Sequence, residues 1–582
     1  MDGSEASTLA LASKPDGMLA QTQLTLEALL NTSSWDLPGW NNNDPIPIPS
    51  TEQLNSLDQS LALLAQYRNC LRPFNRLSSD VLLMIFEEIM SEYGDPFHAL
   101  YGSYDFFTFA KVCHSWRQLV LATPALWRQI SARYPSAALT ALERCGDAGF
   151  FLVIPEGTPQ EIAEPVIKAV AKEAHRLREL YLPSNILKRE DGSMDPMLQP
   201  LVDTPAPLLE RIETIKVRGD GDCVQLPVLF AGQTPQLRHL DIQYMWPRTE
   251  GFTLANLRDL SFCGKKREQI ELSISALLDL LEGCPLLQLL HISKVNWQPA
   301  AEGDSRRVQM EHLRCLDLGP TNASTTAEII RRLDAPQCAL RLDVWLERYD
   351  DCKFYVGIPP VHELAEGHYL RGIRKMHVHF VSGYDAVDIH GETTGGVPFD
   401  LHGVLDAGTL SNLGDMDAIA GTVFRAVVGA FDFSALEEFA LTEMRSNSRW
   451  TGFTRKLWAD MFCTMPNLRS FHITMDSSYD EGFSRSILAA LSEVHGEHML
   501  CPLLENLFVV GDKTWSSLQC YTMAEERHRR NHPLKRVSMC LPHYASFANP
   551  DDTDLPLLRK YVETVDLEPT DIIFPAFPDT LT

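Results

Sequence analysis

The chain has 582 residues, with 51 basic and 77 acidic side chains giving a net charge of −26, and 45% of its residues are hydrophobic. That length calls for more than one cooperative core, and the acidic excess repels phosphate backbones and anionic bilayers, so neither nucleic acid nor a membrane surface is an expected partner. The 13 cysteines never come closer than the 14 positions from Cys338 to Cys352, which leaves no CxxC pair for zinc or dithiol chemistry and suits a reducing compartment.

Residues 1–50 are polar, carry the run "NNNDPIPIPS" and lack a periodic apolar face; they read as largely disordered apart from a short helix at "TQLTLEALLNTS". Over 51–70, Leu54, Leu57, Leu61 and Leu64 recur at three and four residues, predicting an amphipathic helix that packs against the module next in the chain or pairs weakly with another helix. The next helix, "SSDVLLMIFEEIM", starts on serines able to cap free N–H groups; it should bury Val81, Leu82, Ile85, Phe86 and Ile89 and leave Glu87 and Glu88 in water. A loop with Gly94, Pro96 and Gly102 leads to a second helical run, from Tyr104 through Phe109, Val112, Cys113, Trp116, Leu119 and Val120. "TPALWRQI" supplies a third short helix, with Thr123 as cap, Pro124 in the first turn, and Leu126, Trp127 and Ile130 inward.

Leu77, the pair Ile85 and Phe86, "VCHSWRQLV" at 112–120 and "PALW" at 124–127 together resemble the F-box signature, over 71–134. One departure is that Ser78 and Ser79 stand where F-boxes usually carry a proline, so the first helix starts on a side-chain acceptor instead of a locked φ. The whole layout is similar to the F-box proteins of mushroom-forming fungi. The resemblance implies a three-helix module that grips a Skp-type adaptor and, through it, a cullin-RING ubiquitin ligase. The residues it marks as adaptor contacts or module core, which sequence does not divide, are Leu77, Val81, Leu82, Ile85, Phe86, Val112, Trp116, Leu119, Leu126 and Trp127. The cluster Lys111, Arg117, Arg128 and Arg133 would assist docking to an acidic adaptor, with ordinary surface solvation as the alternative.

Beyond Pro135 a phrase returns: "HRLRELYLPS", "PQLRHLDIQYM", "ANLRDLSFC", "PLLQLLHISKV", "EHLRCLDLGP", "SALEEFALTEM", "PNLRSFHITMD", "PLLENLFVV" and "HPLKRVSMCL". Its L-x-x-L-x-L rhythm puts alternate side chains on one face of a short strand, and helical runs ending near a proline separate the copies. Taking Leu237, Leu257, Leu286 and Leu313 as leading residues, the spacings are 20, 29 and 27; Leu468, Leu503 and Leu534 are 35 and 31 apart. The expected fold class is therefore α/β, with a small N-terminal three-helix F-box followed over 135–582 by an irregular leucine-rich-repeat-like solenoid, a curved sheet with outer helices. An irregular insertion is expected around 353–432. There Ile373, Met376, Val378 and Phe380 could form a repeat strand, and the glycine-rich part after it reads as a loop.

The metal-like cluster is His377, His379, Asp385, Asp388 and His390, because "MHVHF" puts two histidines on one side of a strand; an ordinary polar strand edge is the more economical reading. "HELAEGH" lacks the four-residue histidine spacing of a zincin helix, and no cofactor, metal or catalytic residue is assigned. The function expected is a non-catalytic substrate-recognition subunit of an SCF-type ligase, whose repeat region binds an undetermined protein substrate. The alternatives are a protein-interaction scaffold outside ubiquitin transfer and, less favoured, a metal-dependent hydrolase at His377 and His379. With no basic leader ahead of an apolar core and no apolar run of spanning length, the expected location is cytoplasmic or nuclear.

Overall fold

The computed structural model describes residues 50–566 except 71, 73, 75–76, 93–106, 188–193, 216–223, 248–253, 265–269, 302, 351–352, 365–367, 382–385, 406–415, 445–452, 476–480, 496–497, 511–516 and 541–554. The readings made for residues 1–49, for the loop after Glu92 and for Asp385 fall outside the described residues. The chain divides into two compact units, Met1–Val170 and Ala171–Thr582.

The first unit begins with helix α1, Thr51–Cys70. Its leucine stripe does not pack as expected: Leu54, Leu57, Leu61 and Leu64 stay exposed, while Ser60 is buried with its hydroxyl donating to the Ser56 carbonyl. Helix α2, Ser79–Glu92, starts from Ser78, whose carbonyl accepts from Leu82 N at 3.0 Å and whose Oγ accepts from Val81 N at 3.4 Å. Serine therefore does cap this helix in place of proline.

The single helix expected over 104–120 is two helices, α3 at Phe107–Val112 and α4 at His114–Ala122. Cys113 breaks them, with φ −159° and ψ 171°, and its sulfur accepts from Trp116 N at 3.5 Å as the cap of α4. A cap residue must leave the helical conformation, and that requirement splits a run whose apolar period is unbroken. "PALW" forms one 3-10 turn at Pro124–Trp127, not an α-helix, and the Thr123 hydroxyl donates back to the Leu119 carbonyl instead of capping forward. Ile130, expected on that helix, is buried on strand β1, Gln129–Ser131, which runs parallel to β2, Phe150–Val153; helix α5, Pro135–Arg144, lies between them in sequence.

The second unit is built on parallel strands that pair in chain order: β3 Leu177–Pro183, β4 Arg211–Ile215, β5 His239–Gln243, β6 Asp259–Cys263, β7 Leu289–Ser293, β8 Cys315–Asn322 and β9 Ala339–Asp350. A later run does the same: β13 Glu438–Met444, β14 Ser470–Met475, β15 Asn506–Val510, β16 Arg536–Cys540 and β17 Thr564–Asp566. Each of the nine phrases becomes one of these strands, and β4, β9 and β17 are additional strands that the phrase did not mark.

Between the two runs the chain forms β10 Ile373–Val381, β11 Ala386–Thr393 and β12 Pro398–Leu405, an antiparallel meander. It is laid across the sheet backwards, with β12 parallel to β9 and β10 parallel to β13. The glycine-rich stretch after β10 is thus two strands of the main sheet over 386–405, not a loop. Its inward positions Val387, Ile389, Phe399 and Leu401 are buried, and alternation with His and Asp disguised it.

In-register partners form one inward row across the sheet. It runs Leu180, Ile212, Leu240, Leu260, Leu290, Leu316, Leu340, Phe399, Gly391, Met376, Phe439, Phe471, Leu507 and Val537, all buried, and ends at the half-buried Val565. Each fully buried leucine in such a row contributes about 1.5–3 kcal/mol. Three residues earlier a second apolar anchor closes the turn. In the two Pro-Leu-Leu phrases this anchor is the second leucine: Leu287 and Leu504 are buried, whereas Leu286 and Leu503 are exposed. Leading residues are therefore 257, 287 and 313, with a one-position correction to the sequence reading.

Helices cover this apolar side. Helix α6, Ile274–Glu282, buries Leu277, Leu278 and Leu281; α7, Ala323–Arg332, buries Ile329 and Ile330 and contacts β8 and β9. Helix α8, Met416–Ala430, leads from the meander back to β13, and α9, Arg455–Cys463, sets Trp458 and Phe462 against Phe471, with ring centroids 6.4 and 5.6 Å away.

Candidate functional site

Burial divides the ten residues marked in the helical module. Leu82, Phe86, Leu126 and Trp127 are core. Phe86 stacks on Phe109 at 4.5 Å and meets Trp116 edge-on at 4.8 Å, while Trp127 donates Nε1–H to the Val120 carbonyl at 2.8 Å under the Arg144 guanidinium, 5.2 Å from its ring. Ile85, Trp116 and Leu119 are half-buried. Leu77, Val81 and Val112 stay 36%, 39% and 50% exposed, although Val81 was expected inside.

Met84, 67% exposed, joins them and was missed; its position three residues after Val81, on the same side of α2, was the available signal. Arg117 and Arg128, two of the four basic residues expected to help docking, bond to carbonyls of their own chain. Arg117 Nε donates to the Ala110 carbonyl at 2.9 Å and Arg128 Nε to the Gly149 carbonyl at 2.7 Å, while Lys111 and Arg133 are exposed.

The sheet of the second unit presents its other face as a polar field. Alternation sets Asp241, Ser261, His291, Asp317, Arg341, Asp400, His390 and His377 in one register row, and Asp343, His402, Asp388, His379 and Thr442 in the next. Histidine–carboxylate pairs bridge neighbouring strands: His291 Nδ1 to Asp317 at 3.0 Å, His390 Nδ1 to Asp400 at 2.8 Å, and His402 Nδ1 to Asp388. His377 Nε2 shares a hydrogen bond with the Thr442 hydroxyl at 2.8 Å. His472 stacks on Phe508 with centroids 4.1 Å apart, and the Arg536 guanidinium lies 5.6 Å from the same Phe508 ring.

Burial pushes His377 and His472 down to about 4, and for His377 the neighbouring His390 and His379 add to it; these imidazoles are neutral at neutral pH. Burial likewise raises the carboxyls of Asp241 and Asp343. Four members of the metal-like set, His377, His379, Asp388 and His390, do share this face. Among the described residues, however, no group of three or more His, Cys, Asp or Glu side chains is arranged to hold a metal ion. The face offers charged acceptors and flat rings, which serve hydrogen bonding and stacking.

No family model matches the chain, and no curated protein matches it. Among solved structures, the chain is similar to a Bacteroides fragilis protein from a structural genomics consortium at 11% identity, covering 69% of each chain, with a TM-score of 0.17; that likeness carries no argument. No described helix is long and apolar enough to cross a membrane.

Proposed function

We propose that this chain is a non-catalytic substrate-recognition subunit of an SCF-type ubiquitin ligase. In this reading an F-box over 71–134 docks a Skp-type adaptor and a leucine-rich-repeat-like solenoid over 135–582 holds the protein substrate. The observation that carries the reading is the separation within the module of a filled core, Phe86 and Trp127, from exposed apolar side chains, Leu77, Val81, Met84 and Val112, on sequence that resembles the F-box signature. Contiguous exposed apolar surface marks interaction sites, and Val81 and Met84, three residues apart, lie on one side of α2. The subunit itself transfers nothing; it raises the concentration of substrate lysines near the charged ligase partner.

The test is co-purification with a Skp-type adaptor. Replacing Val81, Met84 and Val112 together by glutamate is expected to cut adaptor capture at least tenfold while circular dichroism is unchanged, because none of the three fills the core. Undiminished capture by that variant, or no capture by the intact chain, overturns the proposal.

A further inference from the structure

We infer that the open sheet face around Asp343 and Trp345 receives a lysine or arginine side chain on a flexible segment of a protein partner. The inference names a substrate class for the proposed receptor and rests on that reading. Both residues are on β9, two apart, so their side chains leave the same side of the sheet about 7 Å from one another along the strand.

Trp345 is 42% exposed where the alternate positions Leu342, Val344 and Leu346 are buried, and tryptophan is a side-chain type enriched at interfaces. The Asp343 carboxylate is half-buried and, among the described residues, makes no hydrogen bond or ion pair within 4 Å, with the His402 imidazole acting on it only through its charge. Its register partner across the strand boundary, His402, has its Nδ1 committed to Asp388 instead. A carboxylate kept partly out of water without a donor is an acceptor that a cationic side chain completes, and the adjoining indole face attracts the same cation.

The surrounding charge has the matching sign. Among the described residues of β8, β9, β11 and β12, Asp317, Asp388 and Asp400 share this face with one fixed positive charge, Arg341, so the local field favours a basic ligand and steers its approach. A long Lys or Arg stem covers the exposed indole while its head reaches Asp343, which an acidic or neutral side chain does not achieve.

The experiment uses the full chain and a fluorescein-labelled, end-blocked nonapeptide of alternating arginine and serine, with fluorescence anisotropy read at physiological salt. Asp343→Asn and Trp345→Ala are each expected to weaken binding at least fivefold, and Trp345→Phe to recover most of the affinity. Glu52→Gln, which removes the same charge from an exposed position of α1, is expected to change binding by less than twofold. Equal weakening by Glu52→Gln, or unchanged affinity in Trp345→Ala, overturns the inference, since attraction to an acidic molecule would then suffice. Adaptor capture is measured on the same preparations. Peptide binding without adaptor capture tells against the receptor reading alone, and adaptor capture without peptide binding tells against this surface alone.

Discussion

A methyl group at position 391 tests the register of the meander directly. A Cβ built on Gly391 comes within 2.1 Å of two carbons of the Phe399 ring, whereas carbon atoms in contact settle at about 3.5–4.0 Å. The ring would have to withdraw by more than an ångström. It is buried and stacked on Phe431 at 5.4 Å, which itself neighbours Phe433 at 6.2 Å, so the displacement passes into the core.

Overpacking of this kind costs about 1–3 kcal/mol, against which alanine recovers about 0.5–1 kcal/mol of the backbone entropy that glycine loses in a strand. Taking mid-range values, the clash is the larger effect, and Gly391→Ala should destabilise the second unit by about 1 kcal/mol. Urea unfolding followed by circular dichroism and fluorescence reads this loss. Combining it with Phe399→Leu should show a favourable coupling of about 1 kcal/mol, because the shortened side chain vacates the space. A Gly391→Ala variant within about 0.5 kcal/mol of the parent, or no coupling in the double variant, would refute the packing of β11 against β12.

Two more outcomes depend on particular side chains. Trp127→Ala removes a buried ring, its bond to the Val120 carbonyl and the surface under Arg144; it should cost the first unit about 3–5 kcal/mol, seen as early loss of its thermal transition, while Val81→Ala should leave that transition nearly unmoved. His368, His377 and His472 are each pushed down to about 4 by burial from an ordinary 6.5. The unfolded chain therefore takes up protons that the folded chain refuses, so stability is full above about pH 6.5 and falls as the pH drops toward 4, by up to about 3 kcal/mol for each group. Urea midpoints measured across that window check this, and His472→Gln should flatten part of the slope.

Much of the second unit was written in its leucines. An anchor, two polar residues and an alternating apolar pair specify a half-buried strand, and the phrase located nine of them. What it did not resolve was register within Pro-Leu-Leu, since both leucines satisfy the pattern and only packing chooses Leu287 and Leu504. The meander was hidden for a different reason. Its outward positions include His377, His379, Asp388 and His390, which read as a polar cluster until strand pairing brings His390 to Asp400 and His402 to Asp388. In the helical module the apolar period ran unbroken through Cys113, and an extended backbone at one residue leaves no mark on that period. Most of the module's exposed apolar side chains were named but not separable from its core, and Met84 was not named, because helical spacing alone does not say which of two apolar flanks, Val81 with Met84 or Leu82 with Phe86, meets water.

The reversed placement of β10, β11 and β12 bears on how the second unit assembles. Leu260 and Leu290 pair over 30 residues, but Leu340 reaches Phe399 over 59 and Met376 reaches Phe439 over 63. Doubling a loop costs only about 0.6 kcal/mol in closure, so the delay is kinetic: the short-range ladders on either side can zip while the long-range joints wait for their ends to meet. Until β12 finds β9 and β10 finds β13, each ladder carries a raw hydrogen-bonding margin that invites pairing with the wrong chain during synthesis. The three strands thus act as a splice, and damage there would surface first as poor yield and aggregation in otherwise well-formed halves.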